Sequence, residues 1–64
     1  GNHGDNMIQI FDVASKALGA MKNKPADKAL LHAAEKVRII PSGSAQAYAQ
    51  GFDRAAETFS DAAP

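Results

Sequence analysis

The sequence contains no cysteine and no tryptophan, and its net charge is zero. Without cysteine, no disulfide, thiolate metal site or thiol nucleophile can form. A dedicated nucleic-acid-binding domain usually carries a basic excess, which this chain does not have. No apolar run approaches the roughly 18 residues that indicate a membrane-spanning helix. We therefore expect no membrane partner, and a cytoplasmic location is the default expectation.

Large apolar side chains are also scarce. Fourteen alanines make up about half of the apolar residues of the 64-residue chain. A domain of this size buries only about 60% of the surface that its unfolded chain exposes. Disulfides are excluded, and two histidines do not indicate a structural metal centre. We therefore expect stabilisation by self-association, with a dimer favoured, or by docking onto another protein.

The periodicity of the apolar residues, at steps of three and four, is typical of amphipathic helices. We predict an all-α fold with three short helices, forming a small bundle or a helical hairpin plus one, completed by self-association. The predicted helices cover about residues 6–22, 25–38 and 44–61. The expected organisation is a disordered tail or expression remnant over residues 1–5, a single helical domain over 6–61 and a C-terminal tail over 62–64.

Local signals define the helix ends. Asn23 is expected to end the first helix in a left-handed conformation. Ser42 and Ser44 are both candidate N-caps of the third helix. Asp12 and Lys16 are spaced for an ion pair on the outer side of the first helix.

Aromatic and branched residues are the expected core. Phe11 falls on the inner face of the first helix, and Phe52 and Phe59 fall on that of the third. Ile39 and Ile40 are too few for a paired strand, so we expect them to pack on the helices beneath the connection.

A few residues are candidates for contact with a partner. Ile8 and Leu31 are large and apolar but lie off the inner faces of their helices. Tyr48 is expected at the edge of the apolar zone, because its hydroxyl needs water or a polar partner. Gly51 belongs to a face of small residues that would let another helix approach closely.

The charged residues form two stripes of opposite sign. The basic stripe contains Lys24, Lys28, His32 and Lys36, and the acidic stripe contains Asp53, Glu57 and Asp61. Like charges at this spacing repel, and acidic residues near a helix C-terminus oppose the helix dipole. An antiparallel pairing, within one chain or across a two-fold axis, would place Lys24 and Lys28 near Asp61 and Glu57, and Lys36 near Asp53. Solvated faces explain both stripes equally well, and the sequence leaves the choice open.

No catalytic, metal or cofactor motif rises above background. We expect a non-enzymatic helical module that self-associates and binds or regulates another protein, as a regulator, inhibitor, or docking or dimerisation domain. The candidate contact residues are Ile8, Leu31, Tyr48, Gly51, Asp53, Glu57 and Asp61. The alternative is a helix-turn-helix-like nucleic-acid-binding regulator that uses Arg38 with the basic stripe, and Gln46, Gln50 and Arg54 on its recognition helix. A weaker alternative is a bundle with a small ligand pocket.

Overall fold

A computed structural model describes the backbone of residues 3–62 and the side chains of residues 4–60, and within these residues the fold is all-α. The three helices are α1 (His3–Ala20), α2 (Ala26–Arg38) and α3 (Gly43–Ala62). The predicted helices are confirmed, with ends that differ by up to three residues. Gly4 and Asp5, predicted to belong to a tail, form part of the first turn of α1. None of the described helices is long and apolar enough to cross a membrane.

Two connections set the helix directions. Ser42 caps α3, because its Oγ accepts a hydrogen bond from the backbone N–H of Ala45 at 3.0 Å. Ser44, the other candidate cap, lies inside the helix. Pro25 occupies the N-cap position of α2. No described residue other than glycine has a positive φ, so the predicted left-handed conformation of Asn23 is wrong.

Helix α2 is central and runs antiparallel to both of its neighbours. It packs extensively on α3 and less on α1, whereas α1 and α3 touch only over a short stretch. The molecule is elongated, at 45 × 20 × 15 Å, with a radius of gyration of 12.0 Å. A compact domain of this length has a radius of about 11 Å. The accessible surface of 4446 Å² also exceeds the roughly 3,900 Å² typical of this mass.

The core is built mainly from small residues. Its buried members are Ile10, Ala14, Ala34, Val37, Ile40, Ala45 and Ala49. Among the described side chains, Val37 is the only one larger than alanine that is fully buried. Phe52 is partly buried against this cluster, as predicted. The core is therefore as thin as the alanine content indicates.

Three predicted core residues are exposed instead. Phe11 is 76% exposed, Phe59 is 54% exposed and Ile39 is 73% exposed. Phe11 and Phe59 lie on the sides of α1 and α3 that face each other, where the two helices scarcely meet. Ile39 points away from the helices, while its neighbour Ile40 is buried and alone fills the space under the connection.

Candidate interaction surface

An apolar cavity lies between α1 and α3. It has a volume of about 130 Å³ and is open to solvent. Its lining residues are Met7, Ile10, Phe11, Ala14, Tyr48 and Phe52. The cavity exists because α1 rests on α2 and barely contacts α3. The large side chains on the facing sides of α1 and α3 therefore flank a gap that the chain itself does not fill.

The surface around this cavity carries no charged residue. On α1, the residues that share a side with Phe11, three, four or seven positions away from it, are Gly4, Met7, Ile8, Ser15 and Leu18. On α3, the corresponding positions around Tyr48 and Phe52 are Ser44, Ala47, Gly51, Ala55, Thr58 and Phe59. Among the described side chains of α3, Asp53 and Glu57 fall on its opposite side, and Arg54 lies at the border of the strip, beside Ala47. Two adjoining helix faces thus form one uncharged strip along the molecule.

Large apolar side chains are exposed on this strip. We define the apolar face by its apolar members: Met7, Ile8, Phe11, Leu18, Tyr48, Phe52, Ala55 and Phe59. Ile8 is 70% exposed, and Phe11, Tyr48 and Phe59 are also exposed. Four of the six large exposed apolar side chains in residues 4–60 therefore share one face. Contiguous apolar patches of this kind mark interaction sites on soluble proteins.

The predicted contact residues separate into two groups. Ile8 and Tyr48 lie on the apolar face. Leu31 is exposed as predicted, but it lies in a groove between α2 and α3 whose rim is charged, with Lys28 and Glu57 among its lining residues. Leu31 is therefore an isolated apolar residue in polar surroundings, distant from Ile8 and Tyr48.

Gly51 lies on an exposed part of α3. A Cβ added at this glycine would meet no heavy atom within 4 Å, apart from the helix's own backbone. No other helix of the described chain approaches this position. The small-residue face of α3 is consequently unoccupied within the monomer, and it borders the apolar face at Ala55.

The acidic residues have different surroundings. Asp53 pairs with Arg38 across the α2–α3 seam, and both side chains remain partly exposed. Lys36, which the antiparallel pairing would place near Asp53, lines the groove on the other side of α2, so this contact is not formed within the chain. Glu57 shares a groove with Lys28, but within residues 4–60 the ion pairs are Asp12–Lys16 and Arg38–Asp53. The side chain of Asp61 lies outside the described residues.

The basic stripe is divided between two sides of α2. Lys24 precedes the helix, and Lys28 lines the groove with α3. His32 and Lys36 line a different groove, between α2 and α1, together with Lys16. Residues four apart on a helix are displaced by about 40°, so a stripe at this spacing passes from one neighbour to the other. Within the described residues, no group of three potential ligands could hold a metal ion.

The sequence prediction missed the most exposed aromatic residue of the surface. Phe11 and Phe59 satisfy the helical period of a core face, and periodicity alone assigned them there. The absence of charge on one side of both α1 and α3 was the signal that could have identified an unpaired face. Each helix needs only one uncharged side to form the core of a three-helix chain, so a wider uncharged surface indicates an unpaired face.

No known protein-family model, curated protein sequence or solved structure matches this chain.

Proposed function

We propose that the chain is a small non-enzymatic helical module that self-associates and binds or regulates another protein through the apolar face. The observation that carries the proposal is the uncharged strip with three exposed aromatic residues, Phe11, Tyr48 and Phe59. The centres of protein interfaces are depleted in charge and enriched in aromatic residues. Aromatic side chains also supply much of the binding energy in such interfaces.

The thin core supports the same proposal. The buried cluster contains four alanines and three larger residues, Ile10, Val37 and Ile40. Burying a large apolar side chain stabilises a fold by about 1.5–3 kcal/mol. Residues such as Phe11, Ile8 and Phe59 cannot contribute fully to the monomer because they are exposed. Association through the apolar face would recover this contribution, since binding to the folded state alone stabilises that state.

The nucleic-acid alternative gains no support from the polar contacts of the α2–α3 connection. Arg38, which that alternative needs on phosphates, is paired with Asp53. Gln46, one of three residues available to its recognition helix, donates hydrogen bonds to the carbonyl oxygens of Arg38 and Ile40 at 2.8 and 3.2 Å. This alternative stays a prediction, as does the cytoplasmic location.

Sedimentation velocity over a dilution series tests the proposal. We expect a species of twice the monomer mass at high protein concentration, with dissociation on dilution and a Kd on the order of micromolar, because the interface is small. The control is Ile39→Ala, which removes a similarly exposed apolar side chain that lies off the apolar face. It should leave the dissociation constant unchanged. A cooperatively folded monomer at every concentration would contradict self-association.

A further inference from the structure

The cavity has the size and chemistry to hold one aromatic ring. Its volume is about 130 Å³ and its lining is apolar. Apolar cavities of about 150 Å³ in protein interiors accommodate benzene, and a phenylalanine side chain ends in a ring of that size. The walls contributed by Met7, Ile10 and Phe52 are the kind of surface against which such a ring gains dispersion energy.

A ring that is exposed stands beside this cavity. Phe11 forms part of the rim, and its side chain is the most exposed of the large apolar residues in the described part of the chain. A two-fold interface requires that one patch contain both halves of the contact, because residue i of each copy meets residue j of the other. The apolar face meets this condition, with a ring and a ring-sized cavity side by side.

We propose that two copies of the chain dimerise by reciprocal insertion, with the Phe11 ring of each copy occupying the cavity of the other. This inference rests on the proposed function, since it names the partner and the contact for the same face. The site is incomplete without the second copy, which supplies the ring that fills it.

The absence of charge and the exposed ring beside a ring-sized cavity favour a second copy as the occupant. Two apolar faces can meet without like-charge repulsion, because neither carries a charged residue and the chain has zero net charge. The long side of the molecule measures 45 by 20 Å. The apolar face covers only part of that extent, so the interface would be at or below the roughly 800 Å² per partner of a standard-size interface. The small residues beside the face, such as Gly51, leave room for a helix of the second copy.

Removal of the ring is the first test. Phe11→Ala should weaken the dimer by about 100-fold or more, because each dimer loses two buried rings. The matched control Ile39→Ala should have no effect. Circular dichroism should show that Phe11→Ala retains its helices, since the side chain contributes little to the monomer core. An unchanged dissociation constant for Phe11→Ala would overturn the inference.

Filling of the cavity is the second test. Ala14 lines the cavity, so Ala14→Leu should occupy the space and also prevent dimerisation. A mixture of the two variants should nevertheless associate, because Phe11→Ala keeps the other five lining residues of the cavity and Ala14→Leu keeps the ring. One of the two contacts is then restored, and the heterodimer should be about tenfold to 100-fold weaker than the wild-type dimer. Sedimentation of the mixture, with one variant labelled at its N-terminus, measures this.

The outcomes separate the inference from the proposed function. If the wild-type chain dimerises and both variants dimerise with the same dissociation constant, the chain self-associates through another contact. That result would overturn reciprocal insertion and leave the proposed function standing. If Ala14→Leu loses the dimer while Phe11→Ala keeps it, another ring, such as that of Phe59, fills the cavity. That result would overturn the insertion of Phe11. A mixture that fails to associate would also overturn the reciprocal contact. A wild-type chain that stays monomeric would overturn both proposals.

Discussion

The seam between α2 and α3 is closed, whereas the seam between α1 and α3 is open. In the closed seam, Ala34 and Val37 of α2 pack with Ala45 and Ala49 of α3. All four residues are fully buried. In the open seam, aromatic side chains of α1 and α3 flank a cavity and remain in solvent. Both seams use apolar residues at helical spacing, so periodicity alone does not distinguish them.

The size of the residues and the order in which the chain connects the helices account for the difference. Alanines let α2 and α3 approach closely, and the short connection after Arg38 holds their ends together. The side chain of Gln46 adds hydrogen bonds to two carbonyl oxygens of that connection. Helix α1 is tied directly only to α2, and no connection draws it against α3. A chain with so few large residues closes one seam completely and leaves the other open.

The largest contrast is expected at two adjacent isoleucines. Ile40 is buried under the closed seam and Ile39 is exposed beside it. Ile40→Ala should lower the free energy of unfolding by about 2–4 kcal/mol, because it removes buried methyl groups and leaves a cavity. Ile39→Ala should change it by no more than about 0.5 kcal/mol. Urea unfolding of both variants measures the difference, and equal effects would show that the connection packs differently.

The second contrast uses one substitution in the two seams. Ala49→Leu places a large side chain in the closed seam and should destabilise the fold by about 1–3 kcal/mol through overpacking. Ala14→Leu places the same side chain beside the cavity, so the monomer should lose little stability or gain some. Thermal unfolding at low protein concentration compares the monomers. If Ala14→Leu proved as destabilising as Ala49→Leu, the α1–α3 seam would have no free space.

A smaller effect is expected at the start of α3. Ser42→Ala removes the hydroxyl that accepts the N–H of Ala45 and should cost about 1 kcal/mol. Ser44→Ala is the matched control, since Ser44 lies within the helix and alanine has the higher helix propensity. We expect no loss of stability in the control. A larger loss of stability in Ser44→Ala than in Ser42→Ala would show that Ser44, and not Ser42, is the N-cap.

The smallest effects concern the ion pairs. A double-mutant cycle on Arg38 and Asp53 should give a coupling energy of no more than about 1 kcal/mol, because both side chains are partly exposed. The same cycle on Lys28 and Glu57 should give a smaller value, since these residues share a groove without forming an ion pair. Stronger coupling between Lys28 and Glu57 would support the register-setting stripes that the sequence suggested.

Much of the fold was predictable, because helix ends and helical periods are local properties. The cap at Ser42 and the Asp12–Lys16 ion pair follow from residues a few positions apart, and both are observed. The abundance of alanine in the closed seam also follows from composition, since small residues are the only ones abundant enough to build it. These features need no knowledge of how the helices are placed in space.

The surface was less predictable, because it depends on which helices touch. Phe11 and Phe59 have the spacing of core residues, and only the separation of α1 from α3 makes them exposed. The partner of Asp53 depends on the rotation of α2, which brings Arg38 rather than Lys36 to α3. The exposure of Ile8 was predictable because Ile8 lies off the inner face of its helix. The exposure of Tyr48 was predictable because its hydroxyl needs water or a polar partner.

The most direct test of an α1–α3 seam completed by a second copy is NMR on a dilution series of the wild-type chain. Amide and methyl shifts of the apolar face, above all those of Phe11, Ala14 and Phe52, should change with concentration. Signals from the closed seam, such as those of Val37, should stay constant. Shifts that are independent of concentration everywhere, or changes confined to Lys28 and Glu57, would contradict the account.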